Sequence, residues 1–238
     1  MPAASLPLSL TADWRIVRKS VKTNATIALH CWLFLLWGSI LKFSAVLSAC
    51  YAPFALALLM CVFAGFNDQV TPWLQFDRQA ILAGEWWRLW SGHLLHTNSW
   101  HLLMNLAGLV VIIMLHGNYY RSCVFAFLLF AGVTLISLAL LFWSPAISLY
   151  VGLSGWLHAL LVYGACEDVR RQWSSGWLIL AGVAAKVGWE QWQGASSDLV
   201  MLIEADVAVD AHLYGAITGL TLFVLLLSFQ QFYPRKAA

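Results

Sequence analysis

Long apolar stretches separated by short polar ones set the pattern of this chain. Apolar sequence runs from Ala25 to Phe66, broken by Lys42 and Pro53. Residues 67–90 are mixed, with Asp68, Asp77, Arg78, Glu85 and Arg88 set among tryptophans. Apolar stretches then return at about 98–115, 122–143, 154–166, 177–192 and 211–229. A helix that crosses a bilayer needs about 20 mostly apolar residues. The pattern therefore predicts an all-α membrane protein, a bundle of six spanning helices with its first span at 44–66. The shorter stretches suit helices that begin inside the protein around a cavity. Three regions follow: an N-terminal segment at 1–24, an extra apolar helix at 25–43, either interfacial or a short further span, and a membrane domain at 44–232. Residues 67–90 read as a surface loop with tryptophans at the lipid–water boundary.

Charge changes this picture by giving it a direction. Arg15, Arg18, Lys19 and Lys22 precede the first span, and Arg121, then Arg170 and Arg171, then Arg235 and Lys236 follow the second, fourth and sixth. With six spans all of these fall on one side, which is the cytoplasmic one by the positive-inside rule. The loop at 144–153 has no charge, and that at 193–210 carries acids but no Lys or Arg. Composition agrees: 61% of the 238 residues are hydrophobic and 10% are charged, too much apolar surface for a soluble domain. A net charge of +2 gives no reason to expect a nucleic-acid partner. The five cysteines have no paired spacing, so neither a disulfide framework nor a metal knuckle is expected. No internal repeat supports a transporter.

Polar groups inside a bilayer are costly and therefore point to chemistry. Gly152-Leu153-Ser154-Gly155 opens the fourth span. The glycines permit a tight turn and close approach, and free N–H groups at a helix start can stabilise an oxyanion. Alone, the same residues would serve as a helix cap. His212 opens the sixth span, one turn before Gly215 and Gly219. That GxxxG lets two helices touch and would carry His212, as base, to Ser154, as nucleophile. His101 and Asn105, four apart on the second span, share a face and can donate hydrogen bonds. Lys186 and Glu190, four apart on the fifth, can neutralise one another. His93 and His96 lie just before the second span, suited to ordering the loop or admitting water.

Together these segments resemble the rhomboid family of intramembrane serine proteases. The resemblance spans about residues 72–219 and implies Ser154 and His212 as catalytic residues and His101 with Asn105 as the oxyanion hole. Trp87 and Arg88, in Glu85-Trp86-Trp87-Arg88, resemble the family's first-loop motif, and His96 matches a His often found before the HxxxN pair. Phe76-Asp77-Arg78 and Gly152-Leu153-Ser154-Gly155-Trp156-Leu157-His158 are similar to the rhombosortase branch. Other rhomboids carry an aromatic residue four positions after the nucleophile; here it is His158, a departure that could still contact His212.

The resemblance implies an inner-membrane endopeptidase that cuts a membrane-anchored substrate near the non-cytoplasmic surface. The rhombosortase likeness narrows that substrate to C-terminal sorting tails of Gly-Gly type. No cofactor or metal is expected. Asp210 is two residues from His212 and points elsewhere on a helix, so a Ser–His dyad is expected rather than a triad. Two alternatives remain: a rhomboid-like protein that binds membrane helices without cutting, and a His-based metal protein, which lacks HExxH and paired thiolates.

Overall fold

The computed structural model describes residues 51–232. The readings at 1–24 and 25–43, and the start of the 44–66 span, lie outside the described residues. Helix α1 is described from Tyr51 to Gly65 and meets α2 (Asn67–Leu74) at a bend of 107°. The tract at 67–90 is not an open loop. It folds into α2, a two-residue strand β1 (Phe76–Asp77), and the short helices α3 (Arg78–Leu82) and α4 (Arg88–Ser91). Such pieces are too short for hydrophobic periodicity to betray them, and local bonds hold them. Asp77 caps α3 by accepting from the N–H groups of Gln79 and Ala80. Arg88 donates to the carbonyls of Gln75 and Pro72, at 2.9 Å each, and pairs with Glu85 at 2.6 Å. Trp87 Nε1 donates to Trp73 O at 2.9 Å.

The long helices are α5 (Ser99–His116), α6 (Ser122–Trp143), α7 (Ser154–Arg170), α8 (Ser174–Gln193) and α10 (Val209–Phe232). Among the described residues three helices can cross a membrane by length and composition, or four if the bent α1–α2 pair is one span. The outer faces of the long helices carry Met114, Phe130, Leu178 and Leu225, all exposed apolar side chains, as expected where the solvent is lipid. α7 is different, because most of its residues from Gly155 to Asp168 are buried. It is the central helix, with α5, α6, α8 and α10 packed about it.

In two places the helices depart from the apolar pattern. The fourth apolar stretch ends at Arg170 rather than near 166, because Glu167 pairs with Arg170 at 2.6 Å and Asp168 accepts from Tyr119 at 2.6 Å. Polar side chains with partners need not end a helix. In the acidic loop at 193–210, Ser196 caps a further helix, α9 (Ser197–Ile203), which buries Ile203.

A second two-residue strand, β2 (Leu149–Tyr150), pairs antiparallel with β1, Phe76 opposite Tyr150. Arg78 extends this seam by donating to the carbonyls of Leu140, Leu141, Ser144 and Ile147. A cation on the carbonyls at the C-terminal end of α6 is favourable electrostatically. The first loop is thereby fastened to the chain just ahead of Gly152.

Candidate active site

The turn into α7 is held from several sides. Gly152 has φ +119°, a region that L side chains rarely enter. Its N–H donates to Gly92 O at 3.1 Å, and its carbonyl accepts from Tyr150 Oη at 2.6 Å. This turn delivers Ser154 as the first residue of α7, beside the first-turn N–H groups that a helix leaves free.

The second component comes from the crossing of α7 and α10. A Cβ on Gly215 would collide with the carbonyl of Gly155, and one on Gly219 with that of Ala159. On the other helix, a Cβ on Gly155 would stand 2.8 Å from Ala211 O. Backbone therefore lies on backbone, the contact that small residues allow between membrane helices. His212, one turn before Gly215, is buried, and its Nε2 stands 2.9 Å from Ser154 Oγ.

α5 brings the third component. A Cβ on Gly152 would come within 2.8 Å of His101 Cε1 and Nε2, so the His101 ring lies directly on the turn before Ser154. His101 Nδ1 faces Thr97, 3.4 Å from its N–H and 3.2 Å from its Oγ1, and Nε2 faces the turn. Asn105 Nδ2 donates to His101 O at 2.9 Å, and its buried Oδ1 has no partner. His96 is buried edge-on to His101, ring centroids 5.0 Å apart. Trp87 and Arg88 remain with the first loop, as described above.

His158 stacks on His212, with ring centroids 4.4 Å apart and planes 23° apart. Its Nδ1 is 2.8 Å from Ser154 O. The expectation that no acid is placed to orient His212 is corrected here. Glu190 Oε2 lies 2.9 Å from His212 Nδ1. Lys186 and Glu190 do form an ion pair, at 2.8 Å, yet the pair also faces the two histidines. Asp210 points away and accepts from Ser144 Oγ. The helix bounds explain why Glu190 reaches His212. Glu190 lies three residues before the end of α8, and His212 three residues after the start of α10, so the two share one depth.

A cavity of about 720 Å³ opens on this cluster, lined by His101, Asn105, Ser154, His158, Lys186 and His212 among apolar side chains of α5, α7 and α8. A smaller one of about 250 Å³ reaches Ser154 from the side of Gln75, Tyr150 and Asp206. α9 closes over this end, with Thr97 Oγ1 and Asn98 Nδ2 donating to the carbonyls of Ile203 and Leu202 at 2.7 and 2.9 Å. Among the described residues no three His, Cys, Asp or Glu side chains converge so as to hold a metal ion.

A hydroxyl facing an imidazole, with donors beside it and an apolar cavity in front, is chemically equipped for acyl transfer. No curated protein matches the sequence. Residues 83–229 match the Rhomboid domain, a stretch that holds Ser154, His212, His101 and Asn105 as well as Lys186 and Glu190. The chain is therefore an integral membrane protein and belongs to the rhomboid family of intramembrane serine proteases.

Proposed function

We propose that this chain is an intramembrane serine endopeptidase, with Ser154 as nucleophile and His212 as base, in a six-crossing bundle. The observation that carries the reading is the 2.9 Å contact of Ser154 Oγ with His212 Nε2 at the edge of the large cavity. His212 takes the Ser154 proton as Oγ attacks a peptide carbonyl, and returns it to the leaving amine. The helix-start N–H groups with His101 and Asn105 receive the developing oxyanion. Water then hydrolyses the acyl-enzyme, with His212 again as base.

The site belongs near the non-cytoplasmic surface. Arg121, Arg170 and Arg171 flank the ends of α6 and α7 remote from Ser154, and Lys and Arg mark the cytoplasmic side. α7 has 17 residues against 22 in α6, so it is about 7.5 Å shorter at 1.5 Å per residue. Its start then lies below the surface, where a substrate helix would have to unwind to be cut. The Phe76-Asp77-Arg78 segment and the sequence from Gly152 to His158 favour a rhombosortase-like substrate, a C-terminal tail of Gly-Gly motif, apolar helix and basic residues. The test is co-expression with tail-bearing candidate substrates. Processing should occur with the native chain and stop with Ser154→Ala and with His212→Ala. Processing that persists in both variants would refute the assignment.

A further inference from the structure

Five polar side chains meet around His212, and the mechanism above uses only some of them. Ser154 and His158 come from α7, Lys186 and Glu190 from α8, and His101 stands nearby on α5. On the α6 side, Ser144 is engaged with Asp210 and Tyr214. The unused pair is Lys186 with Glu190, and both aim at one atom. Glu190 Oε2 is 2.9 Å from His212 Nδ1, and Lys186 Nζ is 3.1 Å from the same nitrogen. These contacts demand opposite tautomers. A carboxylate can only accept, so it selects Nδ1–H and leaves the Nε2 lone pair toward Ser154. An ammonium can only donate, so it selects a bare Nδ1 and puts the proton on Nε2, where His212 could not act as base.

We infer that Glu190 is the positioning residue of the catalytic histidine, and that it also holds Lys186 off His212. The remaining bonds fit one proton arrangement. Lys186 donates to Glu190 Oε2 at 2.8 Å and to His158 Nε2 at 3.0 Å. His158 Nδ1–H then donates to Ser154 O at 2.8 Å. His212 Nδ1–H donates to Glu190, and the Ser154 hydroxyl donates to Nε2. The pair is electrically neutral, which limits its cost within an apolar span. It therefore acts on His212 less through net charge than through tautomer and orientation, the role an acid plays behind the histidine of a serine protease.

The inference rests on Ser154 and His212 being nucleophile and base, and the test separates the two claims. Purified full-length protein in detergent is reacted with a fluorescent fluorophosphonate, and the labelling rate is followed against pH. Loss of labelling in Ser154→Ala establishes the nucleophile by itself; labelling that survives there breaks the underlying reading, whatever Glu190 does. Glu190→Leu strands Lys186 against Nδ1 and should slow labelling by roughly 10²- to 10⁴-fold. The apolar double variant Lys186→Met/Glu190→Leu removes the competing donor and should recover part of that loss, not all. The acid limb of the rate profile should move in opposite directions in the two single variants. Without Glu190 the imidazolium loses its carboxylate, so the limb shifts to lower pH; without Lys186 it gains an unopposed one, so the limb shifts to higher pH. A purely structural pair would lower the folded fraction and leave the limb in place. Full recovery in the double variant, or superimposable limbs in the single variants, overturns the inference while leaving Ser154 and His212 standing.

Discussion

The bond between His212 and Ser154 has a near twin about one helix away. His93 Nε2 lies 2.8 Å from Ser137 Oγ, against 2.9 Å for His212 and Ser154. Distance alone would make both of them nucleophile–base pairs. The surroundings separate them. Ser137 Oγ donates its proton to Leu89 O at 2.6 Å, so the imidazole must be the donor and cannot withdraw that proton. Both side chains have no exposed surface, and His93 rests edge-on against Tyr150. Ser154 instead faces a cavity, its imidazole is backed by a carboxylate, and helix-start N–H groups stand beside it. A histidine next to a hydroxyl is ordinary glue between the first loop and α6. It becomes a candidate base when its other nitrogen is committed as donor and its partner hydroxyl is open to substrate.

The comparison breaks first on the serines. Ser154→Ala should lower fluorophosphonate labelling and substrate cleavage by at least about 10³-fold while the protein stays folded. Ser137→Ala should do the reverse. It leaves His93 without its acceptor, which costs about 1–3 kcal/mol of stability, yet the folded protein should still label at Ser154. If Ser137→Ala abolished labelling at unchanged melting temperature, the distinction drawn between the two pairs would be wrong.

The next effect in size concerns the donors. His101→Ala and Asn105→Ala should each lower kcat by roughly 10²- to 10³-fold, with the fluorophosphonate profile keeping its acid limb because His212 is untouched. Asn105 is informative because its amide N–H is already bonded to His101 O. One of its two hydrogens is left for the oxyanion. A rate loss in His101→Ala with none in Asn105→Ala would assign Asn105 to bracing His101 alone.

The α7–α10 contact should come third. Gly219→Val places side-chain atoms where the Ala159 carbonyl now lies, and overpacking of this kind costs about 1–3 kcal/mol. Melting temperature and labelling rate should fall together, since the same crossing carries His212 to Ser154. A stable variant with normal labelling would show that GxxxG packing is not what sets the distance.

Much of this arrangement is legible from residue order. Ser154 opening one apolar stretch and His212 opening another sit at matching depth, and the glycines beside both announce close packing. The family match covers these same stretches. Glu190 was not legible in the same way, because Lys186 four residues earlier already offers it a sufficient local partner. Only the return of α8 to the level of His212 reveals a second one. Arg78 is similar: its acceptors are carbonyls at the end of α6, and no side-chain pattern records a carbonyl. The β1–β2 seam is two residues per strand, below the length at which alternation can be read. Short elements held by backbone bonds, and residues serving two partners, are where pattern reading ends.

The smallest effect tests why His93 stays out of chemistry. Burial pushes its pKa down to about 3, only partly opposed by the nearby Val133 backbone. In the unfolded chain it titrates near 6.5. The folded state therefore favours the neutral ring, so its contribution to stability is intact above pH 6.5 and is lost as pH falls toward 3. The slope can approach about 1.4 kcal/mol per pH unit. Replacing it by Gln, which can still donate to Ser137, removes the titration and keeps the bond. Melting temperatures of the native chain and His93→Gln should then converge as pH drops from 6.5 to 4.5, with the native chain losing stability faster. Parallel curves would mean that His93 protonates freely in the folded protein. In that case burial would not be what separates it from His212, and the contrast would rest on the committed Ser137 proton alone.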